Sequence, residues 1–111
     1  MLSKPVVSIC TITYNHKNYI VEAIDSFLMQ ETDFPFEIVI GEDCSTDGTR
    51  IIINSYVEKY SNIIRLVTSE CNVGMHKNFI RTVKKCQGKY IALCEGDDYW
   101  IDANKLQKQV D

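Results

Sequence analysis

The stretch FEIVIGEDCSTDGT, Phe36 to Thr49, decides the fold. Its first part, Phe36 to Ile40, is an apolar, β-branched run without clean polar alternation, the pattern of a strand buried on both faces. The part that follows, GEDCSTDGT, has the look of a calcium loop. An EF-hand loop needs oxygen ligands at its first, third and fifth positions, glycine at the sixth and glutamate at the twelfth. Counting from Asp43 puts Ser45, Asp47 and Gly48 in register, but Asn54 falls at the twelfth. An amide supplies no bidentate carboxylate, and a buried strand precedes the loop where a helix is required. The stretch therefore reads as a strand, a turn and a helix start, with Ser45, Thr46 or Asp47 as the cap.

The same order recurs outward from it. VVSICTI (Val6 to Ile12), IIRLV (Ile63 to Val67) and YIALC (Tyr90 to Cys94) are further strand-like runs, the first and last also expected to be buried on both faces. Between the runs, helical spacing lines up Ile20, Ile24, Phe27 and Leu28, then Ile52, Ile53, Tyr56, Val57 and Tyr60, then Met75, Phe79, Ile80, Val83 and Cys86. Each stripe needs a sheet to cover. Strand and helix alternating in this way predict an α/β domain with a Rossmann-like, doubly wound, mostly parallel sheet. Gly88 stands where the third helix would take its C-terminal cap, and Asn72 or Thr68 could cap its start. DANKLQKQVD reads as a further helix start, capped by Asp102, with Leu106 and Val110 on a face that nothing else in the sequence covers. The expectation is one unit over residues 1–111 that belongs to a larger domain.

Composition narrows the function. The chain is 45% hydrophobic with a formal charge of -3, so it lacks the basic footprint that nucleic acid requires. No apolar run approaches the ~20 residues of a membrane span, and the start lacks the pattern of a signal peptide. The five cysteines are odd in number and form no CxxC, which reads as small hydrophobes in a reducing compartment. The expected place is the cytoplasm, with a longer chain able to sit at the inner face of the membrane. No GxGxxG follows a strand, and GxxxxGK[ST] and GxSxG are absent, which sets aside the usual dinucleotide, phosphate-loop and serine-hydrolase sites.

Polar clusters fall after the strands, at the sheet edge where parallel α/β folds bind ligands. EGDDYW places Glu95, Asp97 and Asp98 within four residues. Like charges at ~4 Å and an effective dielectric of ~20 repel by ~4 kcal/mol, and a divalent cation held by the carboxylates removes that cost. The plain alternative is a solvated acidic turn. Gly96 permits close backbone approach, while Tyr99 and Trp100 serve either packing or substrate contact. Glu42 and Asp43 can accept hydrogen bonds from a base N–H or from ribose hydroxyls. In TYN, Thr13, Tyr14 and Asn15 follow the strand directly; Tyr14 can stack on a base, and Asn15 is placed to cap the first helix. His16 and His76 read as surface or hydrogen-bonding residues, and no spacing commits Lys77 or Arg65 to a phosphate or base.

In order along the chain, VSICTITYN (Val7 to Asn15), EIVIGEDCSTDGT (Glu37 to Thr49), NVGMHKN (Asn72 to Asn78) and GKYIALCEGDDYW (Gly88 to Trp100) resemble the motifs of the inverting family 2 glycosyltransferases with the GT-A fold. The resemblance implies the N-terminal, donor-binding part of such a domain. It implies a nucleotide-diphosphate sugar donor, commonly UDP-linked, a carbohydrate or lipid-linked sugar acceptor, and Mn2+ or Mg2+, as in bacterial polysaccharide synthesis. By position, Thr13, Tyr14 and Asp43 would meet the nucleotide, Glu95 would lie near the ribose, and Asp97 or Asp98 would hold the metal. Three departures stand out: Glu95 replaces the usual Asp, Ile12 a common proline, and Cys44 a common glycine, which is expected to loosen that turn. The catalytic base of the family lies later in the domain than these motifs. The alternatives are a Mg2+-dependent nucleotidyl or phosphoryl transferase, which would need a basic phosphate clamp, and a non-catalytic nucleotide- or sugar-binding module.

Overall fold

Strand and helix alternate along the chain as its apolar periodicity requires. The computed structural model describes residues 4–94 and 105–110. The elements are β1 (Val7–Thr13), α1 (Ile20–Leu28), β2 (Phe36–Glu42), α2 (Thr49–Lys59), β3 (Ile64–Val67), α3 (Met75–Lys85), β4 (Tyr90–Leu93) and α4 (Lys105–Val110). The strands lie in the order β3-β2-β1-β4 and every pair is parallel. The chain thus winds outward from β1 to β3, then returns to the other side of β1, which is the doubly wound arrangement. Val7 lies opposite Phe36 and Thr13 opposite Glu42, so β1 and β2 leave the sheet side by side at their carboxyl ends.

Side chains alternate across a strand, and the two faces of this sheet differ in chemistry. One face carries Val7, Ile9, Ile38, Ile40 and Ile64, and against it α1 packs Ile20, Ala23, Ile24 and Phe27 while α2 packs Ile53. Burying each of the larger side chains contributes roughly 1.5–3 kcal/mol. The expected stripes of α1 and α2 are the ones used, with Leu28, Ile52, Tyr56, Val57 and Tyr60 half-buried around them. Tyr56 Oη also donates to Asp25 Oδ1 at 2.6 Å, joining the two helices.

The opposite face is small and polar, with Ser8, Cys10, Glu37, Val39 and Gly41, and α3 lies on it. Here the sequence expectation needs correcting. The buried residues of α3 are Asn78 and Thr82, whereas Met75, Phe79 and Ile80 of the apolar stripe are 72%, 37% and 40% exposed. The reason is close docking. Asn78 Nδ2 donates to the Gly41 carbonyl at 2.9 Å, and a Cβ on Gly41 would stand 1.9 Å from Thr82 Oγ1. A helix brought this near to a backbone must present short polar side chains.

Three smaller expectations also change. β4 pairs with β1 alone among the described residues, so Tyr90, Ile91 and Leu93 are 47%, 43% and 59% exposed; an edge strand is not buried on both faces. Gly88 is no left-handed cap. Its negative φ is ordinary, and its missing Cβ lets the chain pass β1, where that atom would lie 2.6 Å from Ser8 N. Leu106 is covered after all, packing into the apolar core at 1% exposure, while its N–H donates to Gln30 Oε1 at 3.0 Å. Asp102 and the Val110 side chain lie outside the described residues.

Candidate functional site

At the carboxyl ends of β1 and β2, a cavity of about 410 Å3 opens against the start of α3. Its size falls in the range of small-ligand pockets. Ile12, Thr13, Tyr14 and His16 line it from β1 and the loop that follows. Asp43 closes it from the residue after β2, Asn72 and Gly74 from the approach to α3, and Met75 and Asn78 from its first turn.

Asp43 holds this corner together. It is 3% exposed, and its N–H donates to the Thr13 carbonyl at 3.0 Å. Its Oδ1 accepts from Val73 N at 2.7 Å and its Oδ2 from Gly74 N at 3.0 Å, which places a negative charge at the start of α3. Gly74 has φ 91 and ψ 155, a conformation open essentially only to glycine. Arg81 Nη2 approaches Asp43 Oδ1 at 4.0 Å and donates to the Glu42 carbonyl at 2.9 Å. A carboxylate has about four acceptor positions, and the two amides leave room for a donor from the cavity.

Tyr14 is 45% exposed and sets an aromatic ring on the cavity wall. Thr13 is buried, and its hydroxyl shares a 2.8 Å hydrogen bond with His16 Nδ1. Asn15 does not cap α1. It adopts φ 55, accepts from Thr46 N through Oδ1 at 2.8 Å, and donates its N–H to Ser45 Oγ at 2.9 Å. Lys17 N adds a bond to Asp47 Oδ2 at 3.1 Å. The two loops after β1 and β2 are therefore laced together, and residues that look like helix caps serve as cross-links. Asp47 also accepts from Thr49 N and its hydroxyl. Burial pushes its carboxyl up, but these hydrogen bonds outweigh burial and leave it below the ordinary range.

Glu42 faces away from the ligand space, contrary to the sequence reading. It is fully buried and accepts from Ser45 N at 2.5 Å, Cys44 N at 3.2 Å and Arg50 Nε at 2.9 Å. Burial alone would raise its pKa; the bonds from Ser45 and Arg50 win and lower it. Arg50 in turn donates to Thr68 and Ser69, so one buried carboxylate braces the loops after both β2 and β3. Cys44 is as tight a turn residue as glycine would be, with φ 59. Arg65 lies at the other end of the strands beside Glu37 and Lys85, away from the cavity.

Glu95, Asp97 and Asp98, like Tyr99 and Trp100, lie outside the described residues. Among the described residues no group of three His, Cys, Asp or Glu side chains could hold a metal ion. Met75, Asn78 and His16 were not among the expected cavity residues. NVGMHKN marked the right turn, but nothing in it says which side chains look inward.

Residues 8–111 match the profile of Glycosyl transferase family 2, and the chain belongs to that family. An uncharacterized protein of Mycobacterium tuberculosis is 47% identical over 104 residues, covering 94% of this chain and 30% of that protein. The crystal structure of Staphylococcus aureus TarS 1-349 in complex with UDP superposes with TM-score 0.80 at 32% identity, covering 94% of this chain and 30% of that one. The Pyrobaculum calidifontis mannosyltransferase PcManGT, solved with GDP-Man and Mn2+, superposes with TM-score 0.80 at 24% identity over 99% of this chain and 34% of its own. The fold is that of the N-terminal part of a GT-A domain. The chain spans about a third of the length of these proteins. Among the described residues no helix is long and apolar enough to cross a membrane.

Proposed function

We propose that this chain supplies the donor-binding part of an enzyme that transfers a sugar, with inversion, from a UDP-linked donor to a hydroxyl of a carbohydrate or lipid-linked acceptor. The observation that carries the reading is the cavity between the ends of β1 and β2, which joins the Tyr14 ring to the Asp43 carboxylate. A nucleobase needs a flat apolar contact and an acceptor for its ring N–H. Tyr14 offers the first and Asp43 the second, and Thr13 lines the same cavity. TarS, a family relative, has been solved with UDP and with UDP-GlcNAc, which supports a UDP-linked donor.

β4 runs parallel to β1 and leads into EGDDYW from the same sheet edge. In this reading Glu95 serves the ribose, and Asp97 or Asp98 holds Mn2+ or Mg2+, for which hard carboxylate oxygens are the fitting donors. Bound there, the cation would offset charge on the departing diphosphate. Asp43 accepts the base N–H, and Tyr14 excludes water from one face of the base.

Calorimetric titration with UDP, with and without Mn2+, tests this. Tyr14→Ala is expected to weaken UDP binding about 10- to 100-fold, since base-aromatic stacking contributes ~1–3 kcal/mol. Asp97→Ala with Asp98→Ala together should abolish the benefit of Mn2+. Binding that ignores Mn2+ and survives all three changes would sink the assignment.

A further inference from the structure

Arg81 sits one turn after Asn78 on α3, with its side chain 22% exposed. Residues three apart share a helix face, so the two side chains reach the end of β2 together. Arg81 Nε donates to Asn78 Oδ1 at 2.9 Å, while Nη2 donates to the Glu42 carbonyl at 2.9 Å and approaches Asp43 Oδ1 at 4.0 Å. Nε and Nη2 lie on one edge of a rigid, planar guanidinium, so a single edge spans the helix, the strand end and the carboxylate. Asn78 Nδ2 donates in turn to the Gly41 carbonyl at 2.9 Å. A guanidinium only donates, so its bond to Oδ1 also fixes which way the Asn78 amide faces. Asp43 and Asn78 line the cavity, whereas Arg81 is not one of the described residues that do.

We propose that Arg81 is a positioning residue that sets the base selectivity of the cavity, by holding Asp43 as a fixed acceptor that takes uracil and rejects cytosine. This role rests on the reading of the cavity as a nucleotide site. Uracil presents an N–H at ring position 3, where cytosine presents a lone pair. A fixed carboxylate oxygen bonds the first and repels the second, and that discrimination fades once the carboxylate is free to shift. The amides of Val73 and Gly74 hold the Asp43 side chain from the start of α3. Arg81 holds its backbone. The Glu42 carbonyl and the Asp43 N–H belong to one peptide group: Arg81 Nη2 donates to the carbonyl at 2.9 Å, and the N–H donates to the Thr13 carbonyl at 3.0 Å. With both polar atoms of that peptide gripped, its plane is fixed, and with it the point from which the Asp43 side chain departs. Removing the guanidinium frees one end of the peptide and takes a donor from the Asn78 amide as well.

Titration of the full-length protein with UDP and with CDP, at one fixed Mn2+ concentration, tests this in wild type, Arg81→Met and Arg81→Lys. Wild type should prefer UDP. Arg81→Met keeps the apolar stem, and its preference for UDP over CDP should fall about 3- to 10-fold, the worth of one hydrogen bond from the base. Arg81→Lys keeps the charge but not the two-pronged edge, so the preference should fall here too, and this variant carries the test if Arg81→Met does not fold. Urea unfolding of each variant measures any loss of stability separately. A folded variant with the wild-type preference, or one in which UDP and CDP weaken by the same factor, would overturn the positioning role while leaving the cavity a nucleotide site. A wild type that binds UDP no better than CDP would overturn that reading of the cavity and the role of Arg81 with it.

Discussion

Replacing Glu42 by Gln keeps the side-chain shape and removes the charge, which separates the two roles open to this residue. The structure makes it a brace, with Ser45 N, Cys44 N and Arg50 Nε all donating to a carboxylate with no exposed surface. An amide must turn an NH2 toward at least one of these donors. Hydrogen bonds to a charged group contribute about 1.5–3 kcal/mol each, and breaking a buried pair costs about 3–5. The Arg50 side chain is 35% exposed, which discounts its share through solvent screening. A loss of about 3 kcal/mol follows, or about 2 M in urea midpoint at a slope of ~1.5 kcal/mol per M.

The pH dependence has a fixed sign. The folded pKa of Glu42 lies below its ordinary value of 4.5, so its ionised form stabilises the fold above that value, and the contribution is lost as pH falls through the folded pKa. Gln has no such contribution. The gap between wild type and Glu42→Gln should be widest near neutrality and should close in acid. Urea unfolding followed by circular dichroism at several pH values, alongside UDP titration where both proteins are folded, measures this. A variant of wild-type stability that has lost UDP binding would refute the brace and return Glu42 to the ligand.

Two further substitutions probe the turns that shape the site. Gly41→Ala forces α3 off the sheet, since the new methyl would meet Thr82 Oγ1 at 1.9 Å; overpacking of this kind costs about 1–3 kcal/mol. UDP affinity should fall with it, because the start of α3 walls the cavity, and unchanged unfolding and binding would contradict the close docking. Cys44→Gly should raise stability by about 0.5–1 kcal/mol, the relief of a left-handed residue less the chain entropy of glycine. A lower urea midpoint would mean that the Cys44 Sγ contact with the Glu70 carbonyl outweighs the strain.

What the sequence showed, it showed where one force dominates. α1 and α2 bury the stripes read from their spacing, because the sheet face beneath them is apolar and burial alone selects the side that docks. The same reasoning failed for α3, where Asn78 and Thr82 are buried and Met75 is not. Helical periodicity locates an apolar side but does not weigh it against hydrogen bonds to a carbonyl such as that of Gly41. Among the site residues, Tyr14 and Asp43 stand out in the sequence by their place at strand ends, and both line the cavity there. The role of Glu42 was not legible, since adjacent acids on one strand look alike until alternation turns one into the protein and leaves the other at the cavity.

Local pattern alone determined that this chain has an α/β fold with parallel strands and polar loops at their carboxyl ends. Burial of regularly spaced apolar residues is a local property, and FEIVIGEDCSTDGT carries it in full. Which partner each polar group takes was decided only in three dimensions. Asn15 meets Ser45 and Thr46, Asp43 meets Val73 and Gly74, and Glu42 meets Arg50 across gaps that sequence distance does not encode. Hydrogen bonds are directional and short, so they are settled by the packing of helix on sheet after the apolar stripes have set the fold.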